Sequence, residues 1–163
     1  MKHLKSTLLC FLTTGLTILA PLGISPAQEA PPASSQARAV RLSFVEGTVT
    51  VRRSGSTEWA KASVNTPIQQ GFSVATSKNS YAEVQFENGS TVRLGQLSRV
   101  DFSELALTSS GGKVNHLTFE QGYSTFHFIP ERHDEYLVRA SGLTMTPHGK
   151  TNFEQIFKHN KCV

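Results

Sequence analysis

The chain has 163 residues, 16 Lys and Arg against 12 Asp and Glu, and two cysteines. A net charge of +4 without a clustered basic face argues against a nucleic-acid footprint, and two cysteines are too few for a disulfide scaffold. The length suits one domain with a core of its own.

The N-terminus reads as a secretory signal peptide over residues 1–27. Lys2, His3 and Lys5 form a positive start, Leu8 to Ile24 an apolar run, and Ser25-Pro26-Ala27 a small-residue cleavage site. The run is 17 residues long and holds three Thr, two Gly and Pro21, short of the roughly 20 residues a bilayer span requires. Cys10 follows Leu9, where a lipid-attachment signal has Gly, Ala or Ser, so lipidation is the minor reading. Cleavage leaves 136 of the 163 residues, with 14 basic against 12 acidic side chains and a net charge of +2. Cys162 is then the single cysteine, and no internal disulfide is expected.

Residues 28–39 are rich in Pro, Ala, Ser and Gln and read as a disordered linker. From Val40 the hydrophobic period is two. Val49 and Val51 alternate with Thr48, Thr50 and Arg52, and Ala82, Val84 and Phe86 alternate with Tyr81, Glu83 and Gln85. Further short runs follow at Val100 to Leu107, Val114 to Phe119, Tyr123 to Ile129, Tyr136 to Ala140 and Leu143 to Thr146, punctuated by Gly, Pro, Asn or Ser. The pattern predicts an all-β single domain over 40–153, about eight or nine short antiparallel strands in a sandwich or solenoid-like arrangement. Residues 154–163 are expected to form an irregular tail.

One hairpin can be set in register. A two-residue Asn88-Gly89 loop would mix inward and outward faces. A three-residue Glu87-Asn88-Gly89 loop, with Gly89 left-handed, pairs Val84 with Val92 and Ala82 with Leu94 on one face. Asn88→Asp is expected to be mild. Gly47, Gly71, Gly89 and Gly122 are expected at turns. Trp59 is expected to pack in the core or on the sheet rather than to stack on a ligand.

No residue pattern points to catalysis. His133-Asp134-Glu135 reads as a solvated turn, and an acid-base or metal role for His127, His133 and Asp134 rests on composition alone. No Gly-x-Ser-x-Gly elbow, phosphate loop or Cys-x-x-Cys pair is present. Asn88-Gly89-Ser90 fits a glycosylation acceptor but is already explained as a turn.

The ordered succession Glu46-Gly47-Thr48-Val49, Trp59, Pro67 to Phe72, Ala82 to Phe86, Asn88-Gly89-Ser90, Val92 to Gly95, Gln121-Gly122-Tyr123 and Thr146 to Phe153 resembles the FecR-type extracytoplasmic domain. This is the envelope module named after the ferric citrate regulator of bacteria, and the resemblance covers about residues 44–153. It implies a non-catalytic module that recognises an envelope protein or polysaccharide, in the periplasm or secreted, with no cofactor, metal, nucleic acid or small-molecule substrate. Regulatory members carry a cytoplasmic anti-sigma segment ahead of a membrane span, whereas about five residues precede the apolar run here. The polar end at Lys158 to Lys161 is where such domains usually continue, an end consistent with a truncated domain and an unpaired sheet edge. Exposed Tyr81, Arg93 and Tyr136 are the expected binding residues, on flat amphipathic contact. The alternative is an uncleaved, membrane-tethered sensory half of a FecR-like signalling system.

Overall fold

The computed structural model describes residues 38–157, and side chains to residue 153. The signal peptide and most of the linker therefore lie outside the described residues. Among the described residues there are eleven strands, more than the eight or nine expected, and the two-residue hydrophobic period is clear in several of them, such as β2, β5, β6 and β9: β1 Arg41–Glu46, β2 Val49–Arg52, β3 Trp59–Lys61, β4 Ser73–Thr76, β5 Tyr81–Gln85, β6 Thr91–Leu94, β7 Arg99–Leu107, β8 Lys113–Phe128, β9 Glu135–Ala140, β10 Leu143–Met145 and β11 Thr151–Phe157. They make one curled sheet, all-β as the alternation predicts.

The long strand β8 is the spine. Its C-terminal half pairs with β6 and β11, giving a first leaf β1-β5-β6-β8-β11. Its N-terminal half pairs with β7 and β9, giving a second leaf β3-β2-β4-β7-β8-β9-β10. The β8–β9 pairing is parallel and every other pairing is antiparallel.

Both leaves close on one core. Phe86 of the first leaf lies 6.4 Å from Phe102 and 5.8 Å from Tyr136 of the second, between ring centroids, and Phe119 and Phe126 meet edge-on at 6.2 Å across the bend of β8. Each such ring taken from water contributes about 1.5–3 kcal/mol.

Four expectations change here. Val114 to Phe119 and Tyr123 to Ile129 are halves of a single 16-residue strand, not two short ones. Gly122, read as punctuation between them, is the bend itself. Its φ is +96°, and a Cβ there would collide with Ser98 and the Leu97 carbonyl, so only glycine lets β8 cross so close to the 97–98 turn. The supposed irregular tail is a strand as far as Phe157, because β11 pairs with β8 from Thr151↔Phe128 to Phe157↔Gly122.

Arg38 is not linker either. Its side chain, 7% exposed, donates to both Glu87 carboxylate oxygens (2.6 and 3.0 Å), to the Ala106 and Val114 carbonyls, and to Asn115 Oδ1. The folded domain thus begins before Val40.

The β5–β6 hairpin takes the three-residue loop. Ala82 faces Leu94, Val84 faces Val92, and Gly89 has a φ of +82°.

Candidate functional site

Three aromatic side chains that a soluble domain would normally cover stand on the outer face of the first leaf. Phe44, Tyr81 and Tyr123 are 47%, 44% and 37% exposed. With Glu83, Arg93, Gly95 and Thr125 they line a groove of about 480 Å³.

The groove is assembled from β-register. Phe44, Glu83, Arg93 and Thr125 stand directly opposite one another on β1, β5, β6 and β8. Strict alternation from buried Leu42 would turn Phe44 into the core. A bulge between Leu42 and Phe44 adds Ser43 to the count, so that Phe44 swings outward and Val45 packs against the core instead. Ser43 Oγ, released by the bulge, donates to Glu83 Oε1 at 2.6 Å.

At the other end, a Cβ on Gly95 would come within 2.9 Å of the Tyr123 ring, so the tyrosine lies over the strand where the neighbouring residue has no side chain. A cross-strand aromatic covering a sheet glycine is a stabilising device. Here it also lays a ring along the groove, with Thr125 Oγ1 donating to the Tyr123 hydroxyl at 3.2 Å.

The polar rim is a paired one. Arg93 Nε donates to Glu83 Oε2 at 2.6 Å. Burial would raise the Glu83 carboxyl, but the Ser43 hydroxyl and Arg93 outweigh it and hold it below the ordinary carboxylate value. The rim therefore carries a fixed donor and a fixed acceptor with no net charge.

Tyr81 and Arg93 are brought together as expected binding residues, and Tyr136 is not. Tyr136 is 1% exposed, and its hydroxyl reaches Asn88 Oδ1 and Ser90 Oγ, both at 3.2 Å. Burial pushes its phenol up. The alternation Tyr136, Val138, Ala140 already points inward, against outward Arg139. Phe44 and Tyr123 are the residues that sequence reasoning missed. The parity Tyr123, Thr125, His127 was available for one, whereas the Ser43 bulge left no trace for the other.

Asn88 is a tertiary link rather than a plain turn residue. Its Nδ2 donates to the Ile129 carbonyl (2.8 Å), the Tyr136 hydroxyl (2.9 Å) and Asp134 Oδ2 (3.2 Å), while its Oδ1 accepts from Ser90 N. A carboxylate in its place would face Asp134 and the Ile129 carbonyl, so the expectation that Asn88→Asp is mild does not survive.

Asp134 is no solvated turn residue. Its side chain is 2% exposed and accepts from the Lys113 and Glu131 backbone N–H groups. His133 is exposed, and His127 contacts Asn152 on the outer face of the first leaf. Among the described residues no three His, Cys, Asp or Glu side chains are placed to hold a metal ion.

Trp59 is 38% exposed on strand β3, outside the core, with the Arg52 and Arg99 guanidiniums 5.2 and 5.6 Å from its ring. Gly47 and Gly71 take positive φ at their turns.

The family model described as FecR protein matches residues 72–162, more than half of the chain. The chain belongs to the FecR family. That family is regulatory and signalling-related and is not known as enzymatic. The match takes in β4 to β11, and with them Tyr81, Arg93 and Tyr123, whereas Phe44 lies ahead of it. No curated protein and no solved structure matches the chain. No helix among the described residues is long and apolar enough to cross a membrane.

Proposed function

We propose that this FecR-family chain is a non-catalytic extracytoplasmic binding module that grips an envelope protein through the outer groove of its first leaf. The observation that carries the reading is the exposed Phe44, Tyr81 and Tyr123 set around a neutral Arg93–Glu83 rim. Aromatic anchors with a satisfied polar rim are the composition of a protein-binding hot spot, because rigid rings bury much area at little entropic cost. The edge of β1 beside the groove supports it further. The 65–68 segment covers that edge as far as Leu42, through Leu42 N to the Thr66 carbonyl and Asn65 N to the Leu42 carbonyl. Past Leu42 the strand has its β5 partner on one side, and an extended peptide can add to the other.

The extracytoplasmic part rests on residues 1–27. N-terminal sequencing of the envelope-fraction protein should find a start near Gln28; an intact Met1 confined to membranes would favour a membrane-tethered signalling half instead. The groove itself is tested by a photo-crosslinking amino acid at Thr125. A discrete protein adduct should form in the envelope and disappear on Tyr81→Ala or Tyr123→Ala, while Lys61→Ala leaves it. An adduct pattern indifferent to both tyrosines overturns the reading.

A further inference from the structure

The outer face of the second leaf has a chemistry of its own. Trp59 and Arg52 are cross-strand partners, and Arg99 reaches the same indole from β7. Arg52 Nη2 donates to Ser73 Oγ at 3.0 Å, and Arg99 donates through Nε and Nη2 to Asp101 at 3.3 and 3.2 Å. A guanidinium has five N–H donors, so most of theirs remain unspent. Holding two cations against one ring is favourable toward the ring and repulsive between the cations.

Register extends this cluster into a strip. Trp59, Arg52, Ser73, Asp101, Thr118 and Arg139 stand opposite one another in turn on β3, β2, β4, β7, β8 and β9. Arg139 is exposed and has no ion-pair partner among the described residues. Arg52 and Arg139 are four strand spacings apart, about 19 Å. Arg52, Arg99 and Arg139 against Asp101 leave an excess of two positive charges. Lys61 and Glu120, both exposed nearby, offset one another, and Glu104 and Glu135 are held on His116 one rung along β8, so the positive excess is confined to the strip itself.

We propose that this strip binds an acidic polysaccharide, its carboxylates on Arg52, Arg99 and Arg139 and its hydroxyls on Asp101 and Thr118. Three guanidiniums in a row with unspent donors call for an anion, and guanidinium forks suit carboxylates bidentately. Cations separated by about 19 Å on a sheet surface call for an extended polyanion rather than a small one. The indole already engages two guanidiniums, which disfavours single-stranded nucleic acid, where bases need free aromatic platforms. The strip carries no exposed large hydrophobic besides Trp59, which disfavours insertion into a membrane.

Trp59 is the chain's single tryptophan, so its emission reports this strip alone. Titrating the full chain with polygalacturonate at low salt should give a saturable change in that emission. The affinity should fall about tenfold or more on raising salt toward 0.2 M, and about three- to tenfold in Arg139→Gln. Arg139 has no partner among the described residues, so its variant keeps the native fold where Arg52→Gln could perturb it. Neutral dextran should give no response, and Tyr81→Ala should leave the titration unchanged, separating this strip from the groove. The proposal is overturned by an absent or non-saturable response, by an Arg139→Gln variant that binds as well as the parent, or by anionic phospholipid vesicles binding more tightly than the polymer.

Discussion

Arg38–Glu87 and Arg93–Glu83 are both arginine–glutamate pairs at 2.6 Å, but the Arg38 side chain is 7% exposed and that of Arg93 is 69% exposed. The first arginine spends its remaining donors on the Ala106 and Val114 carbonyls and on Asn115, stitching the N-terminal segment to both leaves. The second has no further protein acceptor among the described residues. The same Nε-to-carboxylate contact at 2.6 Å is thus structural in one place and part of a binding rim in the other. What differs is desolvation: a buried pair cannot lose one member without stranding the other, whereas water replaces an exposed one.

The sharpest way to break this comparison is to remove both arginines in turn. Arg38→Ala should cost about 3–5 kcal/mol, because it strands the Glu87 carboxylate and the two carbonyls that Arg38 satisfies. Chemical denaturation checks it, and a cost near that of Arg93→Ala would erase the distinction. Next comes the link beside Glu87: Asn88→Asp should cost about 2–3 kcal/mol, since it loses the hydrogen bonds that Nδ2 donates and brings a carboxylate to Asp134.

Acid sharpens the comparison without mutation. Burial would raise the Glu87 carboxyl, yet the Arg38 guanidinium, with backbone N–H groups, lowers it below its ordinary value of 4.5. A depressed folded-state value means stability that is fully present above the unfolded pKa and lost as pH falls through the folded one. Stability should therefore decline on acidification below about pH 4.5. Replacing Glu87 by Gln should flatten that decline more than replacing Glu83 by Gln, whose pair is more exposed. Equal slopes would mean that burial does not separate the two pairs.

Arg93→Ala should have the smallest effect on folding, about 0.2–1 kcal/mol, together with a clear loss of the groove crosslink. A variant that retains the crosslink would detach the rim from binding.

The hairpin shows how far local pattern reaches. Alternation of Ala82, Val84 and Phe86 against Val92 and Leu94, with Gly89 positioned to take a left-handed φ, was enough to set loop length and register. Tyr136 was legible in the same way, and its aromatic chemistry distracted from its parity. Phe44 was not legible, because the Ser43 bulge arises from pairing with β5 and reverses the facing of every later residue in its strand. Gly122 gave a signal that local reasoning misread. A glycine that ends a strand and one that bends it look alike until the approach of Ser98 is known.

By itself, the sequence settled the all-β class, many of the strand-forming stretches, the hairpin register and the resemblance to the FecR family, since these depend on period, turn chemistry and ordered motifs carried within short stretches of chain. Tertiary structure decided which arginine is buried, that Asn88 joins the hairpin to Tyr136 and Asp134, and that Phe44, Tyr81 and Tyr123 meet. Those outcomes depend on pairing between strands distant in sequence. One added residue at a bulge, or one glycine that admits a crossing backbone, decides which side chains face solvent together.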